Sequence, residues 1–297
     1  MSEIVIQVPG STSNLSHGFD CMGMAVAAHN RIAVTTRDDA AVTTPDSADP
    51  GLQVFAEKVH RECTAAWDVK LPGIEVRVSG NVPISRGMGS SATVLLGIAA
   101  ACQRLAGHPL DREELVHLGV RWEGHPDNIC AACLGGFTIA AQGSDGLHWQ
   151  RIAAPDALRA VIAIPATQQS TNEARGVLPD SLSRAEAVRG WQRSCLITAA
   201  LATGEIERLR GLLGDGWHEQ YRAPLNPGLR EAQVAADHAG ALGTILSGSG
   251  SCVLGFATVA TQEAVAAAFA GVYRKLGIAC EVRQTGFDNA GLVPVQD

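Results

Sequence analysis

The feature that most constrains the fold of this chain is a turn rich in glycine and serine that leads directly into an apolar helix. It reads Pro83-Ile-Ser-Arg-Gly-Met-Gly-Ser-Ser-Ala-Thr93, and residues 94–102, which follow, are almost entirely apolar. The free N–H groups and the dipole at the start of a helix attract an anion. The glycines let the main chain approach a phosphate closely, and the serines offer hydroxyls to a cap or a metal ion. The turn predicts a phosphate site, with a capped, buried helix as the purely structural alternative.

Length and charge restrict the class of protein. A chain of 297 residues exceeds the usual size of a single core, so we expect two packed domains. The composition, 46% hydrophobic and 18% charged, is that of a globular protein, and no segment has the length of a membrane span. A net charge of −7 argues against nucleic acid or an anionic membrane as partner. We expect a cytoplasmic protein that binds small molecules; the oligomeric state stays open, with a homodimer as one option.

The eight cysteines are spread over the whole chain, which predicts reduced and mostly buried thiols. One spacing, Cys130-Ala-Ala-Cys133, is that of a metal or redox motif. A zinc ribbon needs a second such pair, which the sequence lacks, and both cysteines lie in an apolar stretch. We therefore expect this pair on the buried face of a helix.

Strand and helix patterns follow one another without strict alternation, which predicts an α+β fold rather than a doubly wound sheet. Alternating residues indicate strands at 3–8, 30–36, 74–79 and 160–165, the first of them ended by Pro9-Gly10. Helical periodicity indicates helices at 52–69, 90–106, 111–123, 181–203, 204–214 and 261–276. Asp111 is expected to cap the third helix. The turn-rich stretch 143–157 suggests a boundary between domains at 1–155 and 156–297.

Two polar segments of the first half accompany the turn. One carries Asn14 and Asp20 between apolar flanks, where an amide and a carboxylate could receive the ammonium and hydroxyl groups of a substrate, although both types also form turns. The other reads Trp122-Glu-Gly-His-Pro-Asp-Asn128. Its Glu123 could hold Mg²⁺, which prefers hard oxygen ligands, and the histidine, aspartate and asparagine that follow would extend a polar site.

Two further segments lie in the second half of the chain. Arg175 ends the run 165–175 and Arg222 lies in 218–228, and turn-forming residues flank both. An arginine binds a carboxylate or a phosphate through two parallel hydrogen bonds. Either arginine alone would be explained as a surface residue; the pair indicates an anionic ligand.

In this order the segments resemble the galactokinase, homoserine kinase and mevalonate kinase (GHMP) superfamily, and within it the homoserine kinases. The resemblance extends from about residue 4 to residue 291. It is carried by 83–92, by Glu123-Gly-His-Pro-Asp-Asn128 with Gly135-Gly-Phe137, by Ser170-Thr-Asn-Glu-Ala-Arg175 with Leu178-Pro179, and by Tyr221-Arg-Ala-Pro-Leu-Asn-Pro-Gly228.

The resemblance implies a two-domain α+β GHMP kinase fold, with an N-terminal mixed-sheet ATP-binding domain and a C-terminal ferredoxin-like α/β sandwich. It implies phosphorylation of the side-chain hydroxyl of L-homoserine from ATP and Mg²⁺, in threonine biosynthesis. A related small-molecule kinase acting on another alcohol, and a non-catalytic nucleotide- or metabolite-binding protein on the same fold, remain alternatives.

The same resemblance implies roles for individual residues. The ATP phosphates would contact Pro83, Arg86, Gly87, Met88, Gly89, Ser90 and Ser91, and Mg²⁺ would bind Ser91 and Glu123. The homoserine contacts would be Asn14, Asp20, His125, Asp127, Arg175 and Arg222. The catalytic residues would be Asn128, Arg222 and Glu123.

The chain departs from the family pattern in two informative places. Asn128 stands where mevalonate kinases have an aspartate that can act as a base, and an amide does not accept a proton at neutral pH. We therefore expect direct in-line transfer without a dedicated base. Ser16 and His17 replace the Gly-Pro that is common in the family, and we expect the His17 side chain to face solvent rather than substrate.

Overall fold

The computed structural model describes residues 3–45, 47, 50–214 and 216–295. Its first sheet has seven strands in the order β11-β1-β2-β4-β3, and β5 and β6 extend it from β2. All pairs are antiparallel except β3 with β4. The strands are β1 Glu3–Ser13, β2 Met22–Arg37, β3 Val42–Thr43, β4 Gly73–Gly80, β5 Phe137–Gly143, β6 Gly146–Ile152 and β11 Val293–Val295.

The second sheet has four antiparallel strands in the order β10-β7-β9-β8, which is the strand order of a ferredoxin-like sheet. These strands are β7 Arg159–Pro165, β8 Gly243–Leu246, β9 Val253–Ala257 and β10 Cys280–Thr285. The α-helices of the described chain are α1 Pro50–Trp67, α2 Ser90–Leu105, α3 Arg112–Glu123, α4 Asp127–Leu134, α5 Thr171–Gly176, α6 Arg184–Thr203, α7 Trp217–Arg222, α8 Leu229–His238 and α9 Gln262–Lys275. The expected α+β class is confirmed.

Helix α2 is the centre of the first core. Every residue from Ala92 to Gln103 is buried, between the first sheet and helices α1, α3 and α4. Gly97 lies against Ile32 of β2, where a Cβ atom would collide with the isoleucine side chain. The almost polar-free sequence after the turn is therefore the sequence of a helix surrounded by apolar neighbours.

Strand β7 shows how the second sheet is covered on both faces. Val161 and Ala163 pack with α8 and α9, whereas Ala160 and Ile162 share a second cluster with α6 and with residues of the first sheet. This alternation is the period-2 pattern of a strand buried on both sides. The second cluster joins the two halves of the molecule, and the cavity described below lies at that junction.

Several boundaries differ from the sequence prediction. β1 does not end at Pro9-Gly10 but continues to Ser13, because a register shift at that point keeps it paired with β2. The helix expected at 204–214 is a short 3₁₀ turn, Ile206–Leu209, and α8 was not predicted. The turn-rich stretch 143–157 contains β6, and β11 returns the end of the chain to the first sheet, so the division at residue 155 stays a prediction.

Other sequence predictions hold. Asp111 caps α3, its carboxylate accepting from the backbone of Glu113 and Glu114. Cys130 and Cys133 are free thiols, fully buried on α4, as expected of core residues. Among the described residues, no helix is apolar enough over sufficient length to cross a bilayer.

Candidate active site

A cavity of about 800 Å³ lies between the start of α2, the 14–20 turn, the α1–β4 surface and helices α5 and α7. It collects residues that are far apart in the chain, and most of the predicted site residues line it. These are Asn14, Asp20, Arg86, Gly87, Gly89, Ser90, Ser91, Glu123, His125, Asp127, Asn128, Arg175 and Arg222.

The start of α2 is open to this cavity. Gly89 precedes the helix with φ of 65°, a left-handed conformation that favours glycine, and no side chain caps the first turn. The structural alternative therefore holds only in part, because the helix is buried but no side chain caps it. An uncapped helix start leaves backbone N–H groups and a positive dipole end for an anionic ligand.

The turn at 83–93, predicted as a phosphate site and called the phosphate turn below, is fixed by the second half of the chain. The Arg86 guanidinium donates to the backbone carbonyls of Pro165 (2.8 Å) and Ala166 (2.8 Å), and the Ser247 hydroxyl donates to the carbonyl of Gly87 (2.7 Å). A Cβ atom at position 87 would collide with the Ser247 carbonyl oxygen, so only glycine fits there. The Arg86 side chain is thus an anchor of the turn, and its neighbours offer main-chain groups to the cavity.

Pro83 and Met88 do not line this cavity. The Met88 side chain is buried, and its carbonyl accepts from the backbone N–H of Ser11 (3.1 Å). Both residues instead face a smaller cavity of about 300 Å³ on the other side of the turn. Pro83 and Met88 therefore support the turn on the side that faces away from the larger cavity.

Ser91 and Glu123 face one another at the mouth of the phosphate turn. The Ser91 hydroxyl donates to Oε2 of Glu123 over 3.4 Å, which joins the first turn of α2 to the last turn of α3. Burial raises the pKa of Glu123, and the charge of Asp127 adds to the rise although His125 opposes it. A carboxylate that is costly to ionise beside a hydroxyl is suited to a cation that compensates its charge.

His125 and Asp127 form a second acidic group with Asp20. His125 Nδ1 lies 2.9 Å from Oδ1 of Asp127, and one ligand-type atom from each of the three residues falls within 4.8 Å of the others. Burial alone would lower the pKa of His125, but the hydrogen bond to Asp127 and the charge of Glu123 outweigh it and raise the pKa. Two carboxylates this close favour a cationic partner, either an ammonium group or a metal ion.

The Asn128 amide is held by two serines of β1. Its Oδ1 accepts from the Ser11 hydroxyl (2.8 Å), and its Nδ2 donates to Oγ of Ser13 (3.1 Å). This arrangement leaves one lone pair of Oδ1 for a ligand hydroxyl. Ser11 and Ser13 lie beyond the strand end predicted at Pro9-Gly10, so the sequence pattern does not indicate their contact with Asn128.

The 14–20 turn places Asn14 and Asp20 by unusual backbone geometry. Asn14, Leu15, Ser16 and Asp20 have positive φ. The Asn14 side chain donates to the carbonyl of Gly248 (3.2 Å) and accepts from the backbone of Asp20 (3.1 Å). Asp20 in turn receives two hydrogen bonds from Arg175, of 2.6 and 3.0 Å. The turn therefore aligns the aspartate with an arginine 155 residues further along the chain.

Arg222 is a buried cation that forms no ion pair with any described residue. It is 2% exposed and donates to the carbonyls of Ala174 (2.9 Å) and Gly248 (3.0 Å). Burial and the charge of Arg175 lower its pKa to about 10. The Phe19 ring lies 5.3 Å from its guanidinium carbon and 5.5 Å from that of Arg175, so one ring contacts both cations. A ligand anion is the partner that this site lacks.

The structure corrects the prediction for His17. The residue is 7% exposed rather than facing solvent, because α6 covers it, and the Ser194 hydroxyl donates to its backbone carbonyl (2.9 Å). His17 does not line the cavity.

Comparisons with known proteins agree with this geometry. A family model for the GHMP kinase N-terminal domain matches residues 53–136, and one for the GHMP kinase C-terminal domain matches residues 197–275. The homoserine kinase of Trichormus variabilis is 37% identical and is aligned over 98% of each chain. That of Deinococcus radiodurans is 38% identical over 84% of this chain and 83% of its own.

Solved structures show the same fold. A homoserine kinase from Cytophaga hutchinsonii superposes with a TM-score of 0.87 at 24% identity, covering 99% of this chain and 98% of its own. A galactokinase from Lactococcus lactis, complexed with galactose, gives 0.76 at 15% identity, covering 99% and 95%. The two sheets, the phosphate turn and the extent of these matches lead to one conclusion: the chain has the GHMP kinase fold and belongs to the homoserine kinase family.

Proposed function

We propose that this protein transfers the γ-phosphoryl group of ATP to the side-chain hydroxyl of L-homoserine, as an enzyme of threonine biosynthesis. The observation that carries the proposal is that Arg175 and Arg222, which has no ion-pair partner in the described part of the chain, line the same cavity as the uncapped start of α2. The helix start suits the phosphates of ATP, and the arginines suit a carboxylate or the transferred phosphoryl group. The relatives that match along almost the whole chain are named homoserine kinases, which favours this amino acid as the acceptor.

The cavity offers separate regions to the two substrates. Its apolar part lies between α1 and β4 and would take the adenine base; it is lined by Leu52, Phe55, Val76, Val78, Val82 and Val94. The main chain from Gly87 to Ser91 would take the phosphates. The polar part beyond α2 would take homoserine, with its ammonium group near Asp20 and Asp127 and its carboxylate near the arginines.

The residues at the mouth of the turn fit Mg²⁺. The Ser91 hydroxyl and the Glu123 carboxylate are hard oxygen donors beside the phosphate region, which is the donor type that Mg²⁺ prefers. When bound there, Mg²⁺ would neutralise part of the phosphate charge. Asp20, His125 and Asp127 also lie within ligand distance of one another. We assign this cluster to the substrate ammonium group rather than to a metal ion, because the ion pair with Arg175 already neutralises Asp20 in part.

The chemistry needs no dedicated base in this site. Asn128 Oδ1 would accept a hydrogen bond from the homoserine hydroxyl and hold it in line, while Ser11 and Ser13 fix the amide. The α2 start and Arg222 would stabilise the charge that develops on the transferred phosphoryl group. Asp127 uses Oδ1 for His125 and for the backbone of Asn128, which orients it as a positioning and binding group.

Homoserine-dependent release of ADP tests the proposal. A coupled assay with L-homoserine, L-serine, L-threonine and mevalonate should show the highest kcat/KM for L-homoserine. Turnover of another alcohol alone would support a related kinase, and nucleotide binding without any turnover would support a binding protein. Either result would refute the proposed activity.

Two substitutions test the scheme without a base. Asn128→Ala should lower kcat, because the acceptor hydroxyl loses its hydrogen-bond acceptor, and Asp127→Ala should mainly raise the KM for homoserine. If Asn128→Ala leaves turnover unchanged while Asp127→Ala abolishes it with homoserine still bound, Asp127 is the base and the scheme is wrong.

A further inference from the structure

A carboxylate outside the cavity lies behind Arg222. Glu219 is fully buried on α7, three residues before the arginine, and does not line the cavity. Its oxygens accept from the Ser16 hydroxyl (2.9 Å), from Nε2 of Gln233 (2.7 Å) and from the backbone N–H of Leu246 (3.4 Å). Among the described residues no arginine, lysine or histidine forms an ion pair with it. Burying such a carboxylate is costly, and its three hydrogen bonds offset part of that cost.

Two of the three bonds, those from Ser16 and Leu246, reach segments that also carry a group of the cavity. Ser16 lies in the turn between Asn14 and Asp20. Leu246 ends β8 two residues before Gly248, whose carbonyl accepts from both Arg222 and Asn14. Glu219 itself shares α7 with Arg222. The carboxylate therefore connects the turn, the arginine helix and the Gly248 carbonyl at one buried point.

Ser16 is held in a conformation that its own backbone does not favour. Its φ is 64°, in the left-handed region where glycine is preferred and where the family commonly has glycine. Its hydroxyl both donates to Glu219 and accepts from the backbone N–H of Gly214 (2.8 Å). The two buried hydrogen bonds to the second half of the chain thus compensate the backbone strain of the serine.

We infer that Ser16 and Glu219 are a positioning pair that fixes the 14–20 turn against α7, so that Asp20 and Arg222 face the same substrate. The inference rests on the proposed function insofar as that substrate is homoserine. All three partners of Glu219 are hydrogen-bond donors, so the site requires an acceptor at both oxygens. A glutamine there would turn an NH₂ group toward a donor, and Gln233 cannot reverse its amide without losing the 3.0 Å hydrogen bond from Arg230.

Three variants test the pair: Ser16→Gly, Glu219→Gln, and the double variant Glu219→Gln/Gln233→Glu, which exchanges donor and acceptor. Ser16→Gly and Glu219→Gln should raise the KM for homoserine about fivefold to tenfold, the effect of losing one ordinary hydrogen bond, with the KM for ATP changed less than about twofold. Deuterium uptake of the 14–22 backbone should be faster in both. The double variant should recover part of the loss.

Ser183→Ala is the matched control. Ser183 caps α6 in an exposed position, so its loss should lower the melting temperature without changing either KM or the exchange of 14–22.

An unchanged homoserine KM and unchanged exchange in Ser16→Gly and Glu219→Gln would overturn the inference, and so would a lower melting temperature with both readouts unchanged. If the wild type shows no homoserine-dependent ADP release, the proposed function fails separately. The exchange result then decides alone: faster uptake supports the pair, and unchanged uptake refutes it.

Discussion

Replacing Arg222 with methionine should abolish most of the activity and leave the free protein at least as stable as the wild type. The arginine is charged at pH 7 in both the folded and the unfolded state, but burial and Arg175 lower its folded-state pKa from 12.5 to about 10. At 1.36 kcal/mol per pH unit, that interval corresponds to about 3 kcal/mol that the folded protein loses by holding the charge. Methionine has a similar length and removes this cost.

Two buried acceptors lose their donor in the variant, which offsets part of the gain. They are the carbonyl of Ala174 and Nδ1 of His218, and each unsatisfied acceptor costs about 1 kcal/mol. The carbonyl of Gly248 also loses a hydrogen bond from Arg222 but keeps the one from Asn14. The net change in the free energy of unfolding is a gain of about 1 kcal/mol, or a rise in Tm of about 2 °C for a chain of this size. Calorimetry at pH 7 without ligand measures it. Arg189→Met, at an exposed position of α6, is the matched control and should change neither stability nor activity.

The same substitution should lower kcat/KM by about 10³, the usual effect of removing an arginine that stabilises a transferred phosphoryl group. Arg222→Lys should retain more activity, with a loss of about 10², because an ammonium keeps the charge but not the planar fork. A Met variant that is destabilised by more than 1 kcal/mol, or that keeps kcat/KM within tenfold of the wild type, would refute the view of Arg222 as a buried cation kept for its ligand.

Three further predictions follow from the site. Glu123→Gln should weaken Mg²⁺ affinity at least about tenfold. Because burial raises the pKa of Glu123, the Mg²⁺ affinity of the wild type should fall as the pH drops through that raised pKa. Mg²⁺ titrations of activity over a series of pH values measure both effects. Asp20→Asn should raise the KM for homoserine and leave the KM for ATP unchanged in steady-state kinetics, since it removes the charge that faces the ammonium group and frees Arg175. Burial raises the pKa of Glu219 from 4.5 to about 7, so this group's contribution to stability is fully present below pH 4.5 and is lost as the pH rises through 7. The free energy of urea unfolding of Glu219→Gln, taken relative to wild type, should therefore increase by about 3 kcal/mol between pH 4.5 and 8. A difference that stays constant with pH would contradict this prediction.

Local sequence was sufficient for the parts of the site that depend on local geometry. The phosphate turn could be predicted because glycines before an apolar run produce an open helix start, which is the structure found at Gly89. Glu123 could be predicted because a helix end near that turn brings a carboxylate to it. Asp111 was predicted as a cap because its hydrogen bonds go to residues only two and three positions away.

The residues that sequence reasoning missed depend on distant partners. Phe19 looks like an ordinary apolar residue, and its contact with two arginines arises only when α5 and α7 reach the turn. His17 was expected in solvent because nothing near it in sequence shows that α6 covers it. Ser11 and Ser13 lie beyond Pro9-Gly10, which predicts the end of a strand, whereas pairing with β2 over many residues carries β1 past that point.

The cavity collects charged and polar groups that have no partner of opposite charge within the described part of the protein. Among the described residues Arg222 has no carboxylate partner and no side chain caps the start of α2. Glu123 is half-buried beside the Ser91 hydroxyl, and burial raises its pKa. Each of these groups makes the free protein less stable, and each would be complemented by one part of the proposed ligands, Mg²⁺, ATP and homoserine. Ligands that bind only the folded state therefore stabilise it twice, through their own contacts and by neutralising these charges. A site whose charges were already paired would gain only the contacts. These groups lie together in one cavity, and their orientation is set before the reaction begins. They are therefore the groups expected to stabilise the charge of the transition state, although they cost stability in the free protein.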